Sequence, residues 1–303
     1  MPAKQAMSSN PNPGNAMISP LIQWYPGHIA KAEKQLKKHI DKVDLVIEVR
    51  DARIPISTSH PHLEKWITNK KHLLVINRRD MITNKAIKEW DQWFKSEGKT
   101  PWWCNAKNGN GVAMIKEAAI RLGDELNERR KSRGMRSRAV RALTLGFPNV
   151  GKSALINRLT MQKVVESSRR AGVTKSLRWV RLGQQLDLLD APGVLPPRLE
   201  NQKAALLLAI CDDIGQAAYD VESVGIAFLR LLSALEETYS GFNKESLKER
   251  YGIALENCEP NVHDWLANSA SVHTSDDLRR MAQKLLDDFR KLLLGQISLE
   301  LPK

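Results

Sequence analysis

The hydrophobic pattern changes character once along the chain. Up to about Pro197 it consists of short apolar, β-branched runs separated by amphipathic stretches; beyond it the repeat is long and helical. "VDLVIEVRDARI" (Val43 to Ile54) and "HLLVINRRD" (His72 to Asp80) are apolar, β-branched runs of strand length, with the helical "HPHLEKWITNK" between them. Strands that are apolar on both faces and joined through a helix predict a parallel sheet. Next come a helix in "NKAIKEWDQWFKSEG", a short strand in "TPWWCNAK" and a helix in "VAMIKEAAIRLGDELNERRK". "RALTLGFPNVGKSALINRLT" then reads as strand, loop and helix, followed by strands in "LRWVRL" and "LDLLDAPG". Past Pro197, "NQKAALLLAICDDI", "VESVGIAFLRLLSALEETY", "NKESLKERYGIALENC" and "SDDLRRMAQKLLDDFRKLLLG" predict helices. In the last, Leu278, Met281, Leu285, Phe289 and Leu292 make an i, i+3/i+4 stripe, with Ser275 as the expected N-cap and Gly295 as the stop. The expectation is an α/β domain over 21–200, with a mostly parallel sheet and flanking helices, and a small all-α domain over 201–303. Residues 1–20, rich in Pro, Asn and Ser, are expected to be a flexible tail.

Composition narrows the setting. No window approaches the about 18 consecutive apolar residues of a membrane span, so no membrane partner is expected. Cys104, Cys211 and Cys258 are isolated thiols without C-x-x-C spacing, which argues against a zinc site or a disulfide framework and predicts a reducing, cytoplasmic location. The net charge of +13 is uneven: residues 1–202 carry 36 Lys and Arg against 18 Asp and Glu, and the remainder is acidic. Such a surplus is what a phosphate backbone selects, although a charged face kept for solubility gives the same count. Basic side chains crowd the helical "WYPGHIAKAEKQLKKHI" and the connector from Arg129 to Arg141, which reads either as an RNA contact or as a solvated linker.

The chemistry is concentrated in a few short motifs. Gly146-x-x-x-x-Gly151-Lys152-Ser153, between a strand and a helix, is a full Walker A loop. Backbone N–H groups over Asn149, Val150, Gly151, Lys152, Ser153 and Ala154 would cradle phosphates, Lys152 would reach the β/γ-phosphates, and Ser153 would coordinate Mg²⁺. Thr174, in "RRAGVTKS", would complete the Mg²⁺ shell; Asp190, in "DAPG", would hold a metal-bound water, and the Gly193 N–H would touch the γ-phosphate. The guanine-reading element, by contrast, lies far upstream. Asn77-Arg78-Arg79-Asp80 matches N-K-x-D, with Asp80 accepting from guanine N1–H and the 2-amino group, and "CNAKNGNG" supplies a second base loop at Asn105, Ala106 and Lys107. The order of base loop, second base loop, Walker loop, switch I and switch II is that of a circularly permuted P-loop GTPase domain.

With "WYPGHIAKA", "DARIPIS", the permuted motif order and a helical C-terminal region, the chain resembles the ribosome biogenesis GTPase A (RbgA/YlqF) family over roughly residues 20 to 300. The resemblance implies GTP hydrolysis to GDP with Mg²⁺, a role in maturing the large ribosomal subunit, contact of both domains with its rRNA and no role on DNA. A monomer is expected. Val194 stands where Ras-like enzymes carry a water-orienting glutamine, and the resemblance implies His28 for that catalytic role. It also implies Asn149 as a K⁺ ligand beside the phosphates. Arg78 in place of the usual lysine and Asn105 in place of the common serine depart from the family pattern. The rival reading is a non-catalytic RNA-binding assembly scaffold that senses GTP or ppGpp.

The base-reading assignment makes the first testable prediction. Asp80→Asn shifts nucleotide preference from GTP toward XTP in a competition assay; unchanged GTP preference removes the early motif from the argument.

Overall fold

The computed structural model describes residue 22, residue 36 and residues 38–165, 177–196, 200–235, 240–255 and 261–302. Its centre is β1 (Leu45–Asp51), buried along its whole length. To one side lie β2 (Lys71–Asn77) and the short β3 (Pro101–Trp103); to the other lie β4 (Val140–Leu145), β6 (Leu186–Asp190) and the outer β5 (Arg178–Leu182). The order is β3-β2-β1-β4-β6-β5, parallel throughout except for β5, which runs antiparallel to β6.

Alternation along β1 explains the layering. Leu45, Ile47 and Val49 point into one cluster together with Ile115, Ala118 and Ala119 of α3 (Val112–Lys131) and Leu155, Ile156 and Leu159 of α4 (Lys152–Thr160). Val46 points the other way, to Leu143, Leu145, Leu189 and the residues Leu36, Ile40, Leu63 and Ile67; the last two belong to α1 (Leu63–Ile67). Leu74 and Ile76 of β2 pack against Ala86, Trp90 and Phe94 of α2 (Asn84–Ser96), whose first turn is capped by the Thr83 hydroxyl accepting from the Ala86 N–H at 3.1 Å.

The C-terminal region is helical: α5 (Gln202–Ile210), α6 (Val221–Ala234), α7 (Glu245–Tyr251), α8 (Asn261–His273) and α9 (Leu278–Arg290). Gly225 of α6 lets α9 approach closely, since a Cβ there would lie 2.6 Å from that of Ala282, and the Phe228 and Phe289 rings meet at 5.0 Å. The buried cluster on the α3/α4 side of the sheet runs on without a break into these helices.

Two expectations are corrected. Ser275 does not cap α9; it has a left-handed φ of 54°, and Asp277 is the N-cap, its carboxylate accepting from the Arg280 N–H at 2.8 Å. The helix also stops at Arg290, well before Gly295, because Leu292 already has a left-handed φ of 65° and leaves the helical path. Helix α8 was missed. Its buried stripe of Val262, Trp265, Leu266 and Ala270 is diluted by Asn and Ser, poor helix formers that obscure the period.

Candidate nucleotide-binding site

All parallel strands end on one edge of the sheet, so the loops after β1, β2, β3, β4 and β6 converge there. After β4 comes the Walker loop, which leads into α4 with Lys152 as the first helical residue. Lys152 is buried, and its ammonium donates to the Phe147 carbonyl at 2.7 Å. Burial pushes the ammonium down to about 8, against the pull of the Asp190 and Asp213 carboxylates. Ser153 and Ala154 follow on the first turn, both half-buried.

The base loops are fastened to the Walker loop through Asn77. Its amide nitrogen donates to the Val150 carbonyl at 2.8 Å, while its oxygen accepts from the Ala106 N–H at 2.9 Å and from the Cys104 thiol at 3.5 Å. Gly151 is required beside it: its φ is +100°, and a Cβ would sit 2.2 Å from the Asn77 amide nitrogen. Asp80 lies exposed on a single 3₁₀ turn, Arg79–Met81, immediately after β2. In the second loop the Asn105 side chain accepts from the Lys107 N–H at 2.9 Å and the Asn108 N–H at 3.2 Å, so asparagine closes this turn in place of serine. Lys107 is exposed, and its carbonyl accepts from the Arg158 guanidinium of α4.

Switch II folds against the Walker loop. The Val194 N–H donates to the Gly146 carbonyl at 3.1 Å, and a Cβ on Gly193 would lie 2.5 Å from Pro148 Cα. Asp190, at the end of β6, has a buried Oδ1 with no hydrogen-bond partner among the described residues; burial raises its carboxyl and Lys152 opposes the rise. A partnerless carboxylate oxygen beside the Walker lysine fits the chemistry of a hard divalent cation. Thr174 and His28 lie outside the described residues. Asn149, with φ 56°, donates through its side-chain amide to the Asp212 carbonyl at 2.7 Å, so the residue implied as a K⁺ ligand is also tied to the helical region.

A charged junction that the sequence pattern does not predict lies behind these loops. Arg78, in a left-handed conformation with φ 63°, pairs with Asp51 at 2.9 Å, donates to the Asn149 carbonyl and lies 3.8 Å from Asp213. Arg53 is fully buried, bonds Asp51 through Nε at 3.0 Å and Nη2 at 2.8 Å, and donates to the Cys211 carbonyl at 2.9 Å. From the far end of the chain, the Gln296 amide donates to the Asp80 carbonyl at 2.9 Å and the Ile297 N–H to the Met81 carbonyl at 3.1 Å. Glu300 accepts from the Ile56 N–H at 2.7 Å and the Ser57 N–H at 3.0 Å. The available signal was the pair Asp51 and Arg53 at and just past the end of β1; nothing in the pattern pointed to Asp213 as its partner.

A Walker loop, two base loops that precede it in sequence, and a switch II segment, brought to one edge of a parallel sheet, define a circularly permuted P-loop GTPase. Comparison with known proteins agrees. The family described as 50S ribosome-binding GTPase matches residues 141–238. Ribosome biogenesis GTPase A of Bacillus pumilus is 37% identical over 232 residues, covering 77% of this chain and 80% of the relative. Its counterpart from Bacillus cereus is 38% identical over 233 residues, covering 77% and 76%. In fold, the chain is similar to GNP-bound YlqF from T. maritima, with TM-score 0.55, 22% identity and coverage of 90% and 99%. The chain belongs to the ribosome biogenesis GTPase A family.

The junction makes a pH-dependent prediction. Burial and the neighbouring Asp51 push Asp213 up to about 8, whereas Asp51, though buried, is held at about 2 by Arg53 and Arg78. A carboxyl raised on folding contributes stability that is complete below its ordinary value of 3.8 and is lost as pH rises toward about 8. Asp51 acts in the opposite sense, and only below 3.8. Urea midpoints of the wild type should therefore fall between pH 5 and pH 8 by more than those of Asp213→Asn, which carries no titrating proton; parallel slopes would refute the assignment.

Proposed function

We propose that the protein is a Mg²⁺-dependent GTPase that binds the maturing large ribosomal subunit through rRNA and leaves it on hydrolysis. It would act as a cytoplasmic monomer with a GTPase domain over 21–200 and a helical domain over 201–303. The observation that carries this reading is the Asn77 carboxamide, which holds both base loops against the Walker loop at 2.8 and 2.9 Å. The printed names of the relatives and of the matching family support the ribosomal partner.

The roles follow from the chemistry. Lys152 and the N–H groups of Asn149 to Ala154 hold the phosphates at the N-terminus of α4. Asp80 accepts from guanine N1–H and the 2-amino group, while the backbone at Asn105 and Ala106 meets O6 and Lys107 lies over the base. Arg78, in this reading, does not cover the base as the family lysine would; its guanidinium is turned to Asp51 and the Walker loop. Ser153, Thr174 and Asp190 would hold Mg²⁺, which supplies charge neutralisation at the phosphates. Asn149 is the proposed K⁺ ligand and the Gly193 N–H the γ-phosphate contact. Val194 is buried among Leu36, Ile40 and Leu189, so it orients no water. His28 takes that role. Leu36 and Ile40, on the segment that follows His28 in sequence, pack in the same cluster as Val194, which keeps that segment close to switch II. The buried Val194 equally supports the second reading, a scaffold that senses bound GTP or ppGpp without needing its turnover.

Multiple-turnover GTP hydrolysis in KCl, with and without purified large subunits, separates the two. The enzyme reading expects strong stimulation by the subunit, lost in His28→Ala and reduced when NaCl replaces KCl. Absence of stimulation favours the scaffold.

A further inference from the structure

We propose that the outer face of β5, together with the start of β4, is a stacking platform for an unpaired RNA nucleotide, its base on Trp179 and its phosphates held by Arg141 and Arg181. The proposal rests on the reading that this chain binds rRNA, and it names a place and a mode of contact.

Trp179 and Arg181 are two residues apart in β5 and so share one face of the sheet. Arg141 shares that face too, because both arginines register with Asp187 of β6. Further along the same face the strands bury Leu143 and Leu189 in the core; here the apolar cover ends. Trp179 is 45% exposed, and the Arg141 guanidinium lies over its ring at 5.9 Å. Arg181 is 83% exposed. Beside them runs a groove of about 360 Å³ lined by Arg138, Arg141, Arg181 and Asp187, among others. Asp44 neutralises Arg138, which it accepts from at 2.7 and 2.8 Å, and Asp187 lies 3.6 Å from Arg181, so Arg141 and Arg181 carry the surplus charge.

One large aromatic ring among arginines does not make the contiguous apolar patch that a protein partner would bury. It is the combination found where single-stranded nucleic acid binds: a ring that accepts any base and cations that follow the backbone. A base edge inside a duplex cannot reach such a ring, so the occupant is an unpaired nucleotide. Position adds a consequence. Trp179 pairs in register with Leu189, and Arg178 with Asp190, so the platform lies on the strand that begins just after Thr174 and is hydrogen-bonded to the one that ends at Asp190. RNA seated there would touch the strand that joins both nucleotide-sensing segments.

The test is fluorescence anisotropy on the full chain, with a labelled mixed-sequence single-stranded oligoribonucleotide and an RNA duplex of equal length. Trp179→Ala should weaken single-strand binding about tenfold while leaving duplex binding and GTP affinity unchanged. Trp179→Phe, which keeps a ring, should retain most of the affinity. Arg141→Gln with Arg181→Gln should weaken single-strand binding and flatten its salt dependence. Single-strand affinity unaltered in Trp179→Ala, or lost equally for both RNAs, overturns the platform. If that variant binds normally while neutralising Arg130, Arg133 and Arg136 abolishes binding, the platform falls and the rRNA-binding reading stands. If the wild type binds neither RNA, both fall.

Discussion

One carboxamide holds the nucleotide site together. Asn77 sits at the end of a buried strand with its oxygen committed to the Ala106 N–H and its nitrogen to the Val150 carbonyl, so a single side chain fixes three loops that are far apart in sequence. Each of those backbone groups would cost about 1–3 kcal/mol if left buried without a partner, which makes the clamp hard to replace by any other residue type. A carboxamide carries an N–H donor and a carbonyl acceptor on one carbon, so it can serve both groups at this reach. The absence of a Cβ at Gly151 is the other half of the constraint, because it leaves room for the Asn77 amide.

That constraint explains why the motif order is free to differ from the usual one. What the site requires is that the loops after β2, β3, β4 and β6 lie on one edge and that Asn77 reaches across them. A parallel sheet provides this whichever strand is made first. The permutation instead changes what is attached to switch II. Here the helical region follows it, and its docking is charged: Arg53 links Asp51 to the Cys211 carbonyl, while Arg78 links Asp51 to the Walker loop and approaches Asp213. The Gln296 amide on the Asp80 carbonyl and the Ile297 N–H on the Met81 carbonyl bring the C-terminal region onto the base-reading turn as well. The buried Arg53–Asp51 pair is stable only while both members stay in place, and Arg78 shares the same carboxylate, so a shift on either side is felt on the other.

The elements with a strong period or a rigid local grammar were legible in the sequence: the strands around β1 and β2, the Walker loop, "DAPG" and the permuted order. Arg78 was legible as a departure from pattern but not as what it is. Its partner is Asp51, at the end of β1, and its neighbour Asp213 lies in a helical region whose docking no local pattern encodes. Ser275 failed as a cap for a local reason: Asp277 offers a carboxylate to the same helix end. Asn105 was legible as a departure from the family pattern but not for its role: its carboxamide oxygen accepts from the Lys107 and Asn108 N–H groups and closes the turn.

Val194 carries the last step. Its N–H is bound to the Gly146 carbonyl and its side chain is buried with Leu145, Leu189 and Ala191, so switch II is anchored at both its backbone and its apolar end. An anchored valine neither swings into the site nor donates a hydrogen bond, and a water attacking the γ-phosphate must be oriented from elsewhere. The same cluster contains Leu36 and Ile40, so the packing that disqualifies Val194 also brings these two residues to switch II. That packing ties switch II to the helix carrying Leu36 and Ile40, so a change in either reaches the other without touching the nucleotide.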